Sequence, residues 1–210
     1  MPTPKRVLIL FAHPALQRSS VNARLIRAVR DLPGVTVDDL YERYPDFMID
    51  VPAEQALLLE HDVIVLHHPF YWYSSPAILK EWQDLVLEYG FAYGEGGTAL
   101  DGKFGFSVIS TGGSRQAYRR DGHNHFEIAE LLTPFEQTFR LCHMEYLPPF
   151  VIHGTHELKR EADVMPHAQD YVRLIESLTE DRVDIEAART VTRLNDDLTR
   201  VIREEPDHGA

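Results

Sequence analysis

Apolar runs bounded by turn-forming residues alternate along the chain with stretches in which apolar residues recur every three or four positions. The runs are typical of strands buried on both faces, and the stretches are typical of amphipathic helices. Strands are predicted at residues 6–12, 35–40, 63–67, 104–110 and 146–152. Helices are predicted at residues 21–30, 52–60, 77–87, 126–139 and 166–178. This alternation predicts an α/β fold, a doubly wound five-stranded parallel sheet with helices on both faces.

The chain continues beyond this minimal fold. Between Ile185 and Ile202 apolar residues follow one another at spacings of three and four, which predicts a further helix with one apolar stripe. The pattern leaves open whether the stripe packs on its own domain or on a second subunit. We therefore divide the chain into a domain at residues 1–180 and a C-terminal helical extension at residues 181–210, with a frayed end at residues 204–210.

Composition and charge narrow the class of protein. Of the 210 residues, 44% are hydrophobic and 26% charged, as in a globular protein, and we find neither a membrane-spanning run nor a secretory pattern. A cytoplasmic location is therefore expected. The net charge of −12 opposes a phosphate backbone, which disfavours nucleic acid as a partner. Cys142 is the only cysteine, which excludes an internal disulfide and a thiolate-rich metal site.

The loop after the first predicted strand has the features of a phosphate site. In a doubly wound sheet, ligands bind beyond the carboxyl ends of the strands, where the winding reverses. Ser19 and Ser20 stand at a helix entry, where backbone N–H groups and the helix dipole favour a phosphate, and Arg18 adds charge. Without the lysine of a P-loop, the pattern favours the single phosphate of a flavin mononucleotide. Helix capping by the two serines is the alternative explanation.

The loop after the third predicted strand contains four consecutive aromatic residues, Phe70, Tyr71, Trp72 and Tyr73. Four adjacent side chains cannot all point into the core. A planar tricyclic ring stacked on them would bury the excess aromatic surface, and backbone N–H groups of the loop can bond the ring edge. An apolar lip over the core, or a subunit interface, is the competing interpretation.

The loop after the fourth predicted strand contains Ser110, Thr111, Gly112 and Gly113. Paired glycines permit close approach of a flat ligand to the backbone. Their N–H groups would then stabilise the negative charge that a flavin gains on reduction. A plain turn is the alternative.

Two further motifs fail on their context. Gly94, Gly96 and Ala99 have the spacing of a dinucleotide-binding motif, but no strand precedes them and no helix follows. The 11 histidines include close pairs, yet no pattern places three ligands on one element, so we predict no metal site.

Five short motifs occur in order along the chain. They are His13-Pro14, Tyr44-Pro45-Asp46-Phe47-x-Ile49-Asp50, His68-Pro69-x-x-Trp72-Tyr73, Phe91-Ala92-Tyr93-Gly94-x-Gly96-Gly97-Thr98-Ala99-Leu100 and Thr111-Gly112-Gly113. This ordered set resembles the flavodoxin-like NAD(P)H:quinone oxidoreductase family, and within it the ancillary flavoproteins of glutathione-regulated Kef potassium-efflux systems. The resemblance extends over residues 6 to about 178.

The resemblance implies a homodimer with one flavin per subunit, FMN with FAD as the alternative. The flavin would be reduced by NADPH or NADH through hydride transfer and reoxidised by a quinone in a two-electron, ping-pong reaction. His13, Ser19, Ser20 and Asn22 match the family's loop for the flavin phosphate and ribityl chain. Residues 70–73 match its ring-binding loop, and residues 110–113 match its loop against the pyrimidine edge.

The resemblance also implies a pair of residues that polarise the flavin and the quinone. Tyr118 matches the family's tyrosine, and His123 is taken as the histidine, with His125 close to the expected place. As proton donors to quinone oxygens they would act as general acids. A polar surface loop is the alternative interpretation of this segment.

Three functions from different classes remain open. The first is the flavin-dependent reductase. The second is a regulatory subunit that docks on a membrane potassium-efflux transporter at the inner face of the membrane and activates it. The third, a single-electron carrier, is disfavoured because the loops that contain Trp72, Tyr73 and Tyr118 suit a small acceptor.

Overall fold

A single parallel sheet forms the centre of the computed structural model, which describes residues 4–203. Its strands run in the order β2-β1-β3-β4-β5, and β6 also pairs with β4. The predicted α/β fold with helices around a parallel sheet is confirmed. The frayed end expected at residues 204–210 lies outside the described residues. The strands are β1 Val7–Phe11, β2 Val35–Asp39, β3 Val63–Pro69, β4 Phe104–Ser110, β5 Glu145–Tyr146 and β6 Phe150–Ile152.

Side-chain alternation along β1 explains why the sheet is covered on both faces. Val7, Ile9 and Phe11 belong to one apolar cluster, while Leu8 and Leu10 belong to the other. All five are at most 1% exposed, because successive side chains of a strand point to opposite faces. The helices that cover the two faces and the adjoining loops are α1 Asn22–Val29, α2 Leu40–Arg43, α3 Val51–Glu60, α4 Ala77–Val86, α5 Ile128–Leu131, α6 Thr133–Leu141, α7 Glu161–Thr179, α8 Ile185–Ala188 and α9 Leu198–Val201.

The fifth predicted strand is divided into β5 and β6. Pro148 and Pro149 lie between the two pieces, and proline has no N–H to donate to a sheet ladder. The predicted helix at residues 126–139 is also divided, because α5 ends before Leu132 and Pro134 stands in the first turn of α6. Helix α7 begins at Glu161, so Pro166 lies inside it instead of at its start.

The single helix predicted between Ile185 and Ile202 is wrong. The segment forms α8, a 3-10 turn at Leu194–Asp196, and α9. Asp184 and Asp197 each accept a backbone N–H at the start of a short helix, and these N-caps divide the segment. The apolar side chains pack on the same cluster as α1 and α7, so they are covered within this chain: Ala188, Leu194, Leu198, Val201 and Ile202.

A buried polar cluster lies under the sheet face that carries α3 and α4. The fully buried Glu54 carboxylate accepts hydrogen bonds from the Tyr44 hydroxyl at 2.6 Å and the Trp82 indole at 2.8 Å. The Arg43 guanidinium lies 3.3 Å from Glu54 and 3.2 Å from Asp38. Burial, and then the nearby Glu54 carboxylate, raise the pKa of Asp38 to about 7.

We expect Asp38→Asn to stabilise the protein at pH 8 but not at pH 5. The folded pKa of Asp38 lies above its unfolded value, so the folded state binds more protons between about pH 4 and pH 7. The contribution of this group to stability therefore falls as the pH rises through that window. At pH 8 the variant should gain about 1–2 kcal/mol in the free energy of unfolding, measured with urea. The exposed Asp31→Asn is the control, and a gain at pH 5 as large as at pH 8 would contradict the argument.

No helix among residues 4–203 combines the length and the apolar character needed to cross a bilayer.

Candidate functional site

The loops that follow β1, β3 and β4 meet at one edge of the sheet, where the winding reverses between β1 and β3. They surround an open cavity of about 580 Å³, to which the loop after β6 also contributes. A cavity of this size can hold a ligand as large as a mononucleotide. Its lining residues are His13, Ala15, Arg18, Ser19, Ser20, Val21, Asn22, Pro69, Phe70, Tyr71, Ser110, Gly112, Thr155 and His156.

The first loop presents hydrogen-bond donors to the cavity. The Ser19 hydroxyl accepts the backbone N–H of Asn22 at 3.1 Å and so caps the start of α1. The N–H groups of Ser20 and Val21 donate to no acceptor among residues 4–203. Arg18 lines the cavity, and no carboxylate of the described chain does. Free N–H groups, a helix N-terminus and a guanidinium together favour an anion.

His13 is held in one tautomer. Its Nδ1 accepts the backbone N–H of Ala15 at 3.1 Å, and burial lowers its pKa, so the ring is neutral near pH 7. The single ring proton is therefore on Nε2. His13 can donate a hydrogen bond from this atom to a ligand in the cavity.

Asn22 connects the first loop with the end of β4. Its Nδ2 donates to the Ser110 hydroxyl at 2.9 Å, and the residue is only 3% exposed. Its Oδ1 is buried and has no hydrogen-bond partner in the described part of the chain. An unsatisfied buried acceptor is costly, and a ligand hydroxyl in the cavity would satisfy it.

The loop after β3, which contains the four aromatic residues 70–73, makes a tight turn from Tyr71 to Ser74. Trp72 and Tyr73 have φ values of 50° and 61°, in the left-handed region that favours glycine. The N–H of Ser74 donates to the Tyr71 carbonyl at 3.0 Å, and those of Trp72 and Tyr73 donate to no acceptor among residues 4–203. The Trp72 side chain is 93% exposed. The turn thus presents free N–H donors and an uncovered aromatic surface beside the cavity.

Replacing Trp72 by glycine should stabilise the ligand-free protein. An L-residue in the left-handed region costs about 1–2 kcal/mol, which glycine avoids, and the exposed indole loses little packing. We expect the free energy of unfolding, measured with urea, to rise by about 1 kcal/mol. Trp72→Ala is the matched control, since it also removes the indole but keeps Cβ and therefore the strain. Equal stabilities for the two variants would contradict this account.

The loop after β4, residues 110–113, is called the glycine loop below, and it lies close to the loop after β6. The N–H of Thr111 donates to the Ile152 carbonyl at 2.8 Å, and the N–H of Thr155 donates to the Thr111 carbonyl at 3.0 Å. The N–H groups of Gly112 and Gly113 donate to no acceptor in the described chain. A Cβ at position 112 would lie 2.6 Å from Nε2 of His156, so only glycine fits without displacing that ring.

Tyr118 lies behind the glycine loop, and neither Tyr118 nor His123 lines the cavity itself. The Tyr118 ring is half-buried. Its centre lies 5.5 Å from the centre of the His153 ring and 6.3 Å from the centre of the Phe70 ring. Burial raises the pKa of Tyr118, so its hydroxyl remains protonated near neutral pH. His123 is exposed and lines a separate shallow depression with Gln116 and Arg119.

The structure brings most of the predicted site residues around one cavity. Trp72, Tyr73, Thr111 and Gly113 lie on the same loops without lining the cavity itself. The predicted residues that line it are His13, Ser19, Ser20, Asn22, Phe70, Tyr71, Ser110 and Gly112.

Three residues at this edge were not predicted as site residues: Thr155 and His156, which line the cavity, and His153, which faces Tyr118. A usable signal was present, because these residues directly follow the last strand and therefore lie at the same sheet edge. Their histidines were considered only as metal ligands. Among residues 4–203 no three metal-binding side chains converge.

Comparison with known families and structures agrees with this geometry. A family model for the flavodoxin-like fold matches residues 5–175, and the chain belongs to that flavodoxin-like family. The glutathione-regulated potassium-efflux system ancillary protein KefG of Yersinia enterocolitica is 48% identical over 177 residues, which cover 84% of this chain and 96% of that protein. The resemblance to Kef ancillary proteins is thereby confirmed.

Two solved structures are also similar. The general stress protein 14 of Treponema denticola in complex with FMN has a TM-score of 0.78 and 40% identity, covering 82% of this chain and 99% of its own. The NADPH-quinone reductase of P. pentosaceus has a TM-score of 0.72 and 36% identity, covering 80% of this chain and 96% of its own. Proteins with these names therefore share both the fold and a substantial part of the sequence.

Proposed function

We propose that the protein is an FMN-dependent NAD(P)H:quinone oxidoreductase. The observation that carries the proposal is that all three loops meeting at the cavity have backbone N–H groups without an acceptor among residues 4–203: those of Ser20, Val21 and Gly112 in its lining, and those of Trp72, Tyr73 and Gly113 on the same loops. An anionic group and a flat, polar-edged ring are the ligand parts that such donors fit. A relative of the same fold was solved with FMN, and another is named a NADPH-quinone reductase.

The residues present fit FMN at its different parts. Arg18, the Ser20 N–H and the His13 Nε2–H would hold the phosphate. The unsatisfied Asn22 Oδ1 would accept a hydrogen bond from a ribityl hydroxyl. Tyr71, Trp72 and the glycine loop would hold the ring. When bound, the flavin supplies two-electron chemistry, taking electrons from NADPH or NADH and passing them to a quinone. The first loop has donors for one phosphate, which supports FMN over FAD.

Tyr118 is proposed as the proton donor to the quinone. Its hydroxyl is protonated at neutral pH because burial raises its pKa, and its loop flanks the glycine loop. We expect Tyr118→Phe to lower kcat for quinone reduction roughly 10- to 100-fold while the Kd for FMN stays within about 3-fold. His123→Ala in the same assay tests the histidine inferred from the resemblance. Wild-type turnover in Tyr118→Phe would remove Tyr118 from the reaction.

The direct test of the proposed function is spectroscopic. The purified protein is mixed with FMN or FAD, filtered, and its absorption recorded before and after anaerobic addition of NADPH or NADH, then after addition of a quinone. We expect retained FMN that bleaches with the nicotinamide and recovers with the quinone. A protein that retains neither flavin would refute the proposal.

A second candidate function is supported by the 48% identity to KefG. In this proposal the protein is a cytoplasmic homodimer that docks on a potassium-efflux transporter at the inner face of the membrane and activates it. Potassium efflux from cells that carry the transporter, with wild-type protein or with Tyr118→Phe, separates the two roles. Stimulation that persists without quinone turnover would favour regulation. Turnover without any effect on efflux would favour the enzyme alone.

A further inference from the structure

The segment after α8 reaches back to the glycine loop. The Arg193 guanidinium, only 6% exposed, donates to Nε2 of His153 at 3.0 Å, and Nδ1 of His153 lies 3.0 Å from the Thr111 hydroxyl. The Thr111 hydroxyl in turn donates to the Gly113 carbonyl at 2.9 Å. Three consecutive hydrogen bonds therefore connect the C-terminal segment with the glycine loop, from which Ser110 and Gly112 line the cavity.

The donor and acceptor of each hydrogen bond in this series follow from the chemistry of its first and last groups. Arginine can only donate, so Nε2 of His153 must accept. Burial, and then the Arg193 and Arg115 guanidinium groups, lower the pKa of His153 to about 4, so the ring carries one proton near pH 7. That proton is on Nδ1 and is donated to Thr111, which leaves the Thr111 hydroxyl proton for Gly113. Donors and acceptors match at every step.

The segment that carries Arg193 is anchored by further contacts. Asp196 accepts from Arg193 with both carboxylate oxygens, at 2.8 and 3.1 Å from Nη2, and its Oδ1 lies 3.4 Å from Nη2 of Arg115. The Asn195 side chain pairs with the backbone of Val151, accepting its N–H at 3.0 Å and donating to its carbonyl at 2.9 Å. These contacts hold Arg193 next to β6.

We propose that Arg193 is a positioning residue for the flavin site: it fixes the His153 ring, and through His153 and Thr111 it fixes the glycine loop in the conformation that points its N–H groups at the ligand. The proposal rests on the proposed flavin site. It assigns a role to a residue beyond position 175, where the family match ends. In this protein the C-terminal segment is therefore part of the cofactor site, because it holds His153 behind the glycine loop.

The first readout needs no cofactor. In the flavin-free protein, long-range ¹H–¹⁵N NMR spectra of the histidine rings report which nitrogen is protonated and which accepts a hydrogen bond. We expect His153 as the pure Nδ1–H form in the wild type. In Arg193→Met, Nε2 should lose its hydrogen bond and the ring should become a mixture of both tautomers, and Arg193→Lys should restore the signal in part. An unchanged His153 spectrum in Arg193→Met would overturn the proposal.

The second readout is the Kd for FMN. Arg193→Met should raise it about 10-fold, because a mobile glycine loop must be ordered on binding. The matched control is Arg189→Met, which removes an exposed arginine of the same segment that pairs with Glu145 and Glu186; its Kd should stay within about 2-fold. A Kd for Arg193→Met equal to that of the control would also overturn the proposal.

A double-mutant cycle covers the case in which Arg193→Met does not fold. Thr111→Val breaks the same chain of hydrogen bonds without touching the C-terminal segment, so it should raise the Kd for FMN to a similar extent. With Arg193→Lys and Thr111→Val combined, the losses should be less than multiplicative, since both act through one path. Fully multiplicative losses would refute that path. If the wild type itself binds no FMN, the proposed function fails, while the NMR result still decides whether Arg193 orients His153.

Discussion

Replacing Ser19 by aspartate is expected to lower the affinity for FMN about 100-fold or more. The new carboxylate would lie beside the N–H groups of Ser20 and Val21, which are proposed to bind the FMN phosphate. Two negative charges about 4 Å apart at a partly buried site repel by several kcal/mol, so the carboxylate would oppose binding of the phosphate. An aspartate oxygen can replace the Ser19 hydroxyl as acceptor of the Asn22 N–H, so the start of α1 should remain capped. The Kd is measured by flavin fluorescence at low ionic strength, where screening is weak.

Ser19→Asn is the matched control for this prediction. Asparagine has nearly the same shape as aspartate and caps a helix as well, but it carries no charge. Its Kd for FMN should stay within about 10-fold of the wild type. Equal losses in the two variants would mean that shape, and not phosphate charge, governs binding at this loop. The phosphate assignment would then be wrong.

Replacing Glu54 by alanine is expected to lower the free energy of unfolding more than any other substitution proposed for this protein. The change leaves the Tyr44 hydroxyl and the Trp82 indole N–H without their acceptor in a fully buried site, and it leaves a cavity. Unsatisfied buried donors cost about 1–3 kcal/mol each. We expect the free energy of unfolding, measured with urea at pH 7, to fall by about 3–5 kcal/mol.

Glu60→Ala is the control for Glu54→Ala, because both residues belong to α3. Glu60 is exposed and pairs with Arg6 at the surface, so its removal should cost less than about 1 kcal/mol. A loss at Glu54 no larger than at Glu60 would show that Tyr44 and Trp82 find other partners. The polar cluster would then contribute little to the stability of the fold.

The sheet and its ligand-binding edge could be predicted because each strand is a short apolar run followed by turn residues. The buried run around Val7 to Phe11 and the loops after it are local signals, and parallel topology then places their ends at one edge. The break of the last strand at Pro148 and Pro149 was also visible in the sequence, but its effect depends on which β4 residues the prolines oppose. That register is a tertiary property.

The C-terminal segment could not be predicted from periodicity. Spacings of three and four between Ile185 and Ile202 are compatible with one helix or with several short ones packed on the same core. The N-caps at Asp184 and Asp197 decide between them, together with the surface of α1 and α7 that the segment covers. The contact of Arg193 with His153 joins residues 40 positions apart, and no local pattern encodes it.

The attachment of Leu194 and Asn195 to β6 has a consequence for assembly. The Leu194 N–H donates to the Pro149 carbonyl at 2.9 Å, and the Asn195 amide occupies the backbone groups of Val151. Exposed edge strands have unpaired backbone N–H and C=O groups, through which protein chains can join into continuous sheets or aggregate. On this side of the sheet the hydrogen-bonding groups of Val151 are already occupied by the chain's own residues. A second copy could therefore extend the sheet at Val151 only by displacing the Asn195 amide.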